Sequence, residues 1–571
     1  MNDKVKQYKK ATGELPSENL AWRLYGAGLE SFGDNGKPAV LPMPKYGPDE
    51  LLSRVDAIGI CFSDIKLINQ GSNHPRITGR DLENDPAIPG HEVSLTIVGV
   101  GDNLKDRFTI GEKYVVQADV YYKGVNIAYG YVLPGGMEQY GVIGKEIING
   151  DEGCYLLPVK PDTGYAEAAL SEPWACVVAS YRIEPRRTMK QGGVALFVGP
   201  PAHVHYYPSV EFHPSKVILA GTGDSINPAD FDGAEVIMID AIEGPELTAL
   251  SQERTGGRGF DDIFVLGQTD PKLIEQLDKQ LASGGFLDII STSHMDGPVA
   301  VDVGRVHYDG TMLVGGRDID EGYKNTSDSE LTPGGCAWFI GAAGPMGQMH
   351  VERAVSMKNG PGKILATDVD SARLSALRDR VAGIAAKNGI DIRFVNPTEV
   401  GDAELEAIRD GLTGGAGFSD IVVLAPVPAL IEQAAPYLGN GGKMNIFAGV
   451  PRGTIANIDV SPVYLWGVRY YGSSGSKLSD LKYTLSEAEN GNLPTNRSVA
   501  AIGGINAIGN GIKAVKEARF PGKTVIFPQI KDLPLTALAD LGSVLPSVYE
   551  KLEDGQFWTR EAEKELLSLM L

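Results

Sequence analysis

Apolar residues in the first 160 positions come in short runs broken by Gly, Pro and Asp. Four of these runs, Leu51 to Ile60, Val93 to Val100, Lys113 to Val120 and Gly141 to Gly144, read as strands of a β-rich, barrel-like region. From about Tyr165 the period lengthens to that of a helix over Glu167 to Arg182. Beyond it, strand-sized and helix-sized segments alternate, which is the pattern of parallel α/β layers.

Within the alternating region the chain repeats itself. The text TGGRGFDDIFVLGQTDPKLIEQ from Thr255 returns as TGGAGFSDIVVLAPVPALIEQ from Thr413, at an offset of 158 and then 157 residues. A Gly-Gly pair follows each copy, Gly284-Gly285 and Gly441-Gly442, and the match runs on through Val301-Asp302-Val303 and Ile458-Asp459-Val460. Two related α/β half-domains in tandem are therefore expected. Phe260 to Ile290 supplies the strand, helix, strand arm of a doubly wound sheet.

The first turns of the two copies differ. The apolar stretch Cys336 to Ile340 runs into Gly341-Ala342-Ala343-Gly344-Pro345-Met346-Gly347 and then a helix over Gln348 to Met357. In a dinucleotide turn the first Gly permits the bend, the second lets a pyrophosphate approach, and the third allows the helix to pack closely. The helix N-terminus offers N–H groups to phosphate oxygens. A second strand, Lys363 to Thr367, ends at Asp368, where a carboxylate would accept from an adenosine ribose and repel an added 2′-phosphate. The cofactor expected from Gly341, Gly344, Pro345, Met346, Gly347 and Asp368 is thus NAD rather than NADP. In the earlier copy, Lys216 to Ala220 followed by Gly221-Thr222-Gly223-Asp224, with Asp240 closing a further strand, reads as a degenerate, structural version.

Composition narrows the partners. The 571 residues are 43% hydrophobic and 22% charged with a net charge of −21, so a nucleic-acid backbone or an anionic membrane surface is not an expected partner. No apolar run approaches the roughly 18 residues of a membrane span; Val194 to Val198 is strand-sized. The lysine-rich start lacks an apolar signal segment, and Cys61, Cys154, Cys176 and Cys336 are scattered, so a reducing, cytoplasmic setting is expected. The 71 glycines, about 12% against a usual 7%, fit many tight turns or close approaches to a small molecule.

Upstream of the repeat lie Cys61-Phe62-Ser63-Asp64, Pro89-Gly90-His91-Glu92 and Glu172-Pro173-Trp174. Cys, His and Glu together can form a three-ligand zinc site whose fourth position stays open, as catalytic zinc requires. His203, His205 and His213, in a Pro-rich loop, look superficially metal-binding, but no Cys or carboxylate cluster adjoins them, and an exposed loop is the expectation there.

The run CFSDIKLINQG, the PGHE element, LSEPWACVV and GAAGPMG, in this order, resemble the zinc-containing medium-chain dehydrogenase/reductase family, and its polyol branch of sorbitol dehydrogenase and sorbose-1-phosphate reductase type in particular. The resemblance covers roughly residues 20 to 190 and 336 to 530. It implies an α/β protein: a β-rich GroES-like catalytic domain and a doubly wound, parallel-sheet Rossmann domain, here with an additional Rossmann-like insert. The expected division is 1–190 for the first part of the zinc domain, 191–335 for the insert, 336–475 for the NAD domain, and 476–571 for a return to the zinc domain plus a C-terminal extension. That return should use a helix at Leu478 to Glu489 and a strand at Thr524 to Pro528, with further helical stretches at Leu535 to Leu552 and Arg560 to Leu571.

By the same resemblance Cys61 and His91 are zinc ligands and Glu172 takes the third protein position. Glu92 is a ligand in some relatives and an outer group in others. Ser63 resembles the hydroxyl that starts a proton relay, and Asp64 the carboxylate that orients the ligand histidine. Zinc would stabilise an alkoxide, Ser63 would pass the proton outward, and hydride would leave the same carbon for the nicotinamide. The Cys-rich lobe that holds a structural zinc in many relatives is absent, so one zinc per chain is expected. The implied activity is NAD-dependent oxidation of a secondary alcohol of a polyol, sugar or sugar phosphate, or reduction of the matching carbonyl, by a homodimer or homotetramer. A threonine-type amino-alcohol dehydrogenase and a non-catalytic dinucleotide sensor are the competing readings. Lys66, His74 and Arg76 are candidate cations for a substrate phosphate.

Overall fold

The computed structural model describes residues 3–199, 214–324 and 326–571. The chain forms two compact units: residues 1–178 with 475–571, and residues 179–474.

In the first unit, Leu51–Ile60 is the central strand. All ten of its residues are buried, which explains its nearly unbroken apolar text. It pairs antiparallel with Glu92–Val100 on one side and with Lys523–Phe527 on the other, and Tyr140–Ile143 joins its first half. Lys113–Val116 and Leu156–Val159 continue the sheet at one edge; Val499–Gly504 and Thr536–Ala537 continue it at the other. The C-terminal segment thus contributes three strands to the sheet begun by the N-terminal segment. The expected strand Lys113 to Val120 stops at Val116.

Two predicted helices are corrected. Glu167 to Arg182 is two helices, Tyr165–Ala169 and Ser171–Ser180, with Leu170 between them. Leu535 to Leu552 is not one helix: the strand Thr536–Ala537 is followed by single turns at Leu541–Val544 and Pro546–Tyr549, the second begun by a proline that cannot continue the first. The terminal helix Arg560–Met570 is capped by Thr559, whose hydroxyl accepts from the Ala562 N–H.

The second unit holds two six-stranded parallel sheets of identical order. The later sheet runs Asp391–Val395, Lys363–Thr367, Cys336–Ile340, Phe418–Val423, Leu438–Ile446 and Arg469–Tyr471. In sequence order this is 3-2-1-4-5-6, the doubly wound arrangement that places a ligand crevice at the reversal beside the first strand. The earlier sheet runs Glu235–Ile239, Lys216–Ala220, Val194–Val198, Phe260–Leu266, Leu281–Ile290 and Met312–Gly316.

This register corrects the reading of the earlier copy. Lys216–Ala220 is its second strand, not its first, so Gly221-Thr222-Gly223-Asp224 is not its dinucleotide turn. The first strand is Val194–Val198, and the turn after it enters residues 200–213, which lie outside the described residues together with His203, His205 and His213. Gly221 stands where the later sheet has Asp368.

One apolar core runs through both sheets, from Leu196, Ile263 and Leu287 of the earlier sheet to Ile421, Met444 and Val468 of the later region. Val299–Asp302 pairs antiparallel with Ile455–Ile458, joining the two halves strand to strand. Close backbone packing reinforces the join: a Cβ on Gly472 would lie 2.6 Å from the His307 Cα and 2.7 Å from the Val306 oxygen. Neither atom can yield, so Gly472→Ala should destabilise the protein by about 1–3 kcal/mol, read as a lower midpoint in denaturant unfolding. An unchanged midpoint would contradict the packing described.

Candidate metal and dinucleotide sites

The metal-ligand candidates come from the ends of the buried strands. Leu51–Ile60 runs directly into Cys61, which caps the helix Phe62–Gln70. Asp64, in the first turn of that helix and fully buried, accepts from the Cys61 N–H at 2.9 Å and from the Gly90 N–H at 3.2 Å. One carboxylate therefore fixes both ligand-bearing segments. Gly90 has φ +98°, and a Cβ there would lie 2.9 Å from the Met137 side chain, so the bend before His91 needs glycine.

The Cys61 sulfur, a His91 ring nitrogen and a Glu92 carboxylate oxygen all lie within 4.8 Å of one another. Sulfur, nitrogen and oxygen donors on three side chains are the set a catalytic zinc uses. Ser63 stands among them: its hydroxyl donates to the Cys61 sulfur at 2.9 Å and lies 3.3 Å from His91 Nε2. On the far side of the ring, His91 Nδ1 is 3.3 Å from Asp64 Oδ1, so the carboxylate fixes which nitrogen faces the donor cluster. Burial alone would lower the basicity of His91, but Tyr131 and Asp64 outweigh it and raise its pKa well above the ordinary value.

Glu92 is fully buried. One of its oxygens meets the Lys523 ammonium at 2.5 Å, and the other has no hydrogen-bond partner. The second oxygen occupies the space a side chain at position 59 would fill, 2.0 Å from a Cβ built on Gly59. Lys523 arrives because the returning strand pairs Thr524 with Ile60 and so sets the preceding residue beside Cys61. Its pKa is raised, Glu92 prevailing over the opposing effect of burial.

Of the two carboxylates expected near the metal, Glu92 is the one whose oxygen lies with the Cys61 sulfur and the His91 nitrogen. Glu172 is buried in the first turn of Ser171–Ser180, outside the set of three. Burial pushes its carboxyl up to about 7, with His91 and Lys523 opposing and Glu92 adding to the shift. It is close enough to interact with the cluster electrostatically.

Sequence reasoning missed Lys523, Tyr131 and Asp119. Tyr131 is buried with its ring against His91, at 5.7 Å between centroids, and against His74 at 5.4 Å. The Arg76 guanidinium covers the same ring at 4.8 Å and is paired with Asp119 at 2.7 Å. Of the three candidate phosphate cations, His74 and Arg76 thus gather around Tyr131, while Lys66 stands over Phe62. Nothing local in the text around Lys523 marks it; the only available signal was that a buried carboxylate at position 92 requires a cation from somewhere.

In the second unit, Gly341 has φ +79°, which makes the tight turn after Cys336–Ile340. A Cβ on Gly347 would lie 2.4 Å from the Gly341 carbonyl oxygen, so the helix can approach only without one. Gly344 is the opposite: a Cβ there would meet nothing nearer than 3.8 Å, leaving its backbone open to a ligand. The helix begins at Pro345, earlier than Gln348, with Gly344 as its cap and Met346 in its first turn. Asp368 accepts from the Ala343 N–H at 2.9 Å, joining the end of Lys363–Thr367 to the glycine turn. The glycine turn, the start of the helix after it and the end of the second strand thus meet beside the reversal of strand order.

Comparison with known proteins adds to this geometry. The alcohol dehydrogenase GroES-like domain model matches residues 47–149. An uncharacterised Escherichia coli K12 protein, YggP, is 25% identical over 545 residues, covering 93% of each chain. A mannitol-1-phosphate 5-dehydrogenase of Aliivibrio fischeri is 25% identical over 544 residues, covering 92% of this chain and 93% of that one. An L-sorbose 1-phosphate reductase of Klebsiella pneumoniae is 28% identical over 323 residues, 52% of this chain and 74% of its own. Among solved structures, an alcohol dehydrogenase of Thermotoga maritima matches with a TM-score of 0.51 at 13% identity, covering 90% of this chain and 99% of that one. The 2R,3R-butanediol dehydrogenase of Bacillus subtilis matches at 0.50 and 15% identity, covering 89% and 99%.

A GroES-like domain, a Cys-His-Glu cluster and a Rossmann sheet define an enzyme of the NAD(P)-dependent zinc dehydrogenase type, with the fold of the medium-chain alcohol and polyol dehydrogenases. Among the described residues, no helix is long and apolar enough to cross a membrane.

Cys61→Ser should lower bound zinc from about one per chain to a small fraction while leaving the far-ultraviolet circular dichroism unchanged. Metal analysis of the purified variant checks this; an unaltered zinc content would remove Cys61 from the ligand set.

Proposed function

We propose that the protein interconverts a secondary alcohol of a polyol, sugar or sugar phosphate and the matching carbonyl, using NAD and a single zinc. The observation that carries this reading is the Ser63 hydroxyl placed between the Cys61 sulfur and the His91 imidazole, beside Glu92.

Cys61, His91 and Glu92 would hold the zinc, which supplies, when bound, Lewis acidity toward the substrate oxygen. The chain's own residues do the rest. Ser63 is within hydrogen-bond reach of the donor cluster and would relay outward the proton that an alcohol must lose as its carbon gives up hydride, accepting it at its oxygen while releasing its own hydroxyl proton towards solvent. Asp64 stands against His91 Nδ1, and Lys523 holds Glu92 by one oxygen, leaving the other without a hydrogen-bond partner. Gly341, Gly344, Pro345, Met346 and Gly347 bind the pyrophosphate of the dinucleotide at a helix N-terminus. The Asp368 carboxylate, where an adenosine ribose would lie, disfavours a 2′-phosphate and so favours NAD.

The polyol reading draws support from the names of the mannitol-1-phosphate and sorbose 1-phosphate relatives, and from Arg76 and His74 standing against Tyr131 next to His91. One zinc follows from the cysteines: with Cys61 used, Cys154, Cys176 and Cys336 cannot supply four thiolates.

A screen of NAD reduction over polyols, sugars and their phosphates tests the assignment. Turnover of at least one such secondary alcohol, lost on zinc removal and restored by zinc, is expected; no turnover across the panel by zinc-loaded protein would overturn it. Asp368→Ala should reduce the preference for NAD over NADP in kcat/KM by roughly tenfold, about 1.4 kcal/mol. An unchanged preference would place the ribose elsewhere.

A further inference from the structure

The antiparallel pair between the two halves has a symmetry that the repeat makes legible. Val299 faces Ile458, Ala300 faces Asn457, Val301 faces Ala456 and Asp302 faces Ile455. The repeat offset of 157 makes Asn457 the counterpart of Ala300, so at this position a residue faces its own equivalent. On either side the partners exchange: Val299 faces the counterpart of Val301, and Val301 faces the counterpart of Val299. Residue i meeting j while j meets i is the relation of a two-fold interface between identical subunits.

Other contacts obey the same rotation. The Glu275 carboxylate accepts from the Ala300 N–H at 3.0 Å, and its counterpart Glu432 accepts from the Asn457 N–H at 2.6 Å. A Cβ on Gly315 would lie 2.6 Å from the Tyr464 Cβ, and one on its counterpart Gly472 would lie 2.6 Å from the Cα of His307, which is the counterpart of Tyr464. The axis therefore relates backbone packing as well as strand register.

The side chains break the symmetry in a directed way. Arg452 meets Asp309 at 2.8 Å, whereas the counterparts of these two residues are Met295 and Trp466. Pairing of like halves would set Asp309 against methionine or Arg452 against tryptophan. The ion pair forms only when unlike halves meet. The earlier half has also lost what the later half uses: Gly221 replaces the Asp368 carboxylate, and two short turns, Gly223–Ser225 and Pro228–Asp230, stand where the later half has the helix Ser371–Lys387.

We propose that residues 194–316 serve as a built-in partner subunit: a sibling fold that occupies, within the same chain, the self-complementary edge through which two copies of the later half would otherwise associate. The partner of this edge is the unlike half of its own chain, and a second protein molecule is excluded from it. The match to YggP and to the Aliivibrio fischeri relative over 93% and 92% of this chain shows that the arrangement lies within the length those proteins share with it. Any homo-oligomer must be built on other surfaces.

A cysteine at the symmetry position gives the test, because a residue on a two-fold axis meets itself if like halves pair. The N–H groups of Ala300 and Asn457 turn to Glu275 and Glu432 rather than to each other. They therefore form a narrow, non-hydrogen-bonded pair, about 4.5 Å between Cα atoms, which suits a disulfide. Asn457 is exposed and Ala300 partly so, and neither substitution disturbs the core. Full-length Ala300→Cys, Asn457→Cys and the double variant are oxidised mildly, run on non-reducing gels and mapped by peptide mass. The double variant should close a 300–457 disulfide within single chains, and neither single variant should give dimers linked through its new cysteine. Dimers from a single variant, dimers from the double variant linked between positions 300 and 457, or failure of the double variant to close would each overturn the proposal. Hydrogen exchange of the unmodified protein supplies a measurement free of substitutions. Protection of residues 299–302 and 455–458 should be the same at low and high protein concentration. Protection that rises with concentration, or is absent, would contradict pairing within one chain. Neither measurement depends on zinc, cofactor or turnover.

Discussion

The first unit is organised around a carboxylate that water cannot reach. Glu92 begins a strand whose first eight residues are buried, and a charge at such a position is costly unless opposite charge and hydrogen bonds surround it. Lys523, delivered by a strand more than 400 residues away in sequence, meets one of the Glu92 oxygens. The remaining oxygen stands without a protein partner beside a thiol and an imidazole. A divalent cation meets the need that the protein leaves open. Gly59, Gly90 and Asp64 follow from the same requirement: one makes room for the carboxylate, one turns the chain before His91, and one ties both ligand segments together.

Much of this was legible in the text, for physical reasons that can be named. Leu51–Ile60, Cys336–Ile340, Lys363–Thr367, the pair Phe260–Leu266 and Leu281–Ile290, and Leu478–Glu489 fall where the apolar pattern put them, because a strand or helix buried on its faces carries its own signature. The glycine turn was readable because only glycine tolerates the conformation at Gly341 and the contact at Gly347. What the text did not carry depended on distant partners. Lys523, which meets Glu92, comes from a strand 431 residues further along the chain, and Gly59, paired with Glu92, leaves room for its carboxylate. The earlier half was misread because its first strand, Val194–Val198, lacks a following GxGxxG, whereas the second strand is followed by glycines that imitate one. In Leu535 to Leu552, apolar spacing suited a helix, but Pro546 and the pairing of Thr536 with Ile502 broke it up.

The duplication explains why a dehydrogenase fold carries a second sheet with no dinucleotide signature in its described residues. A two-fold interface relaxes when its two sides are fused in one chain, since each side can then change without the other. The earlier half has the glycine and glutamate that make the join, Gly315 and Glu275, and glycine rather than an acidic residue at the end of its second strand. The later half has both the joining pair and the acidic residue.

The donor set around the metal is the feature on which the chemistry depends, and zinc X-ray absorption of the loaded enzyme reads that set directly. One sulfur at about 2.3 Å with the remaining scatterers nitrogen or oxygen at about 2.0–2.2 Å is the predicted first shell. A shell of two or more sulfurs, or of none, would contradict the assignment of Cys61, His91 and Glu92.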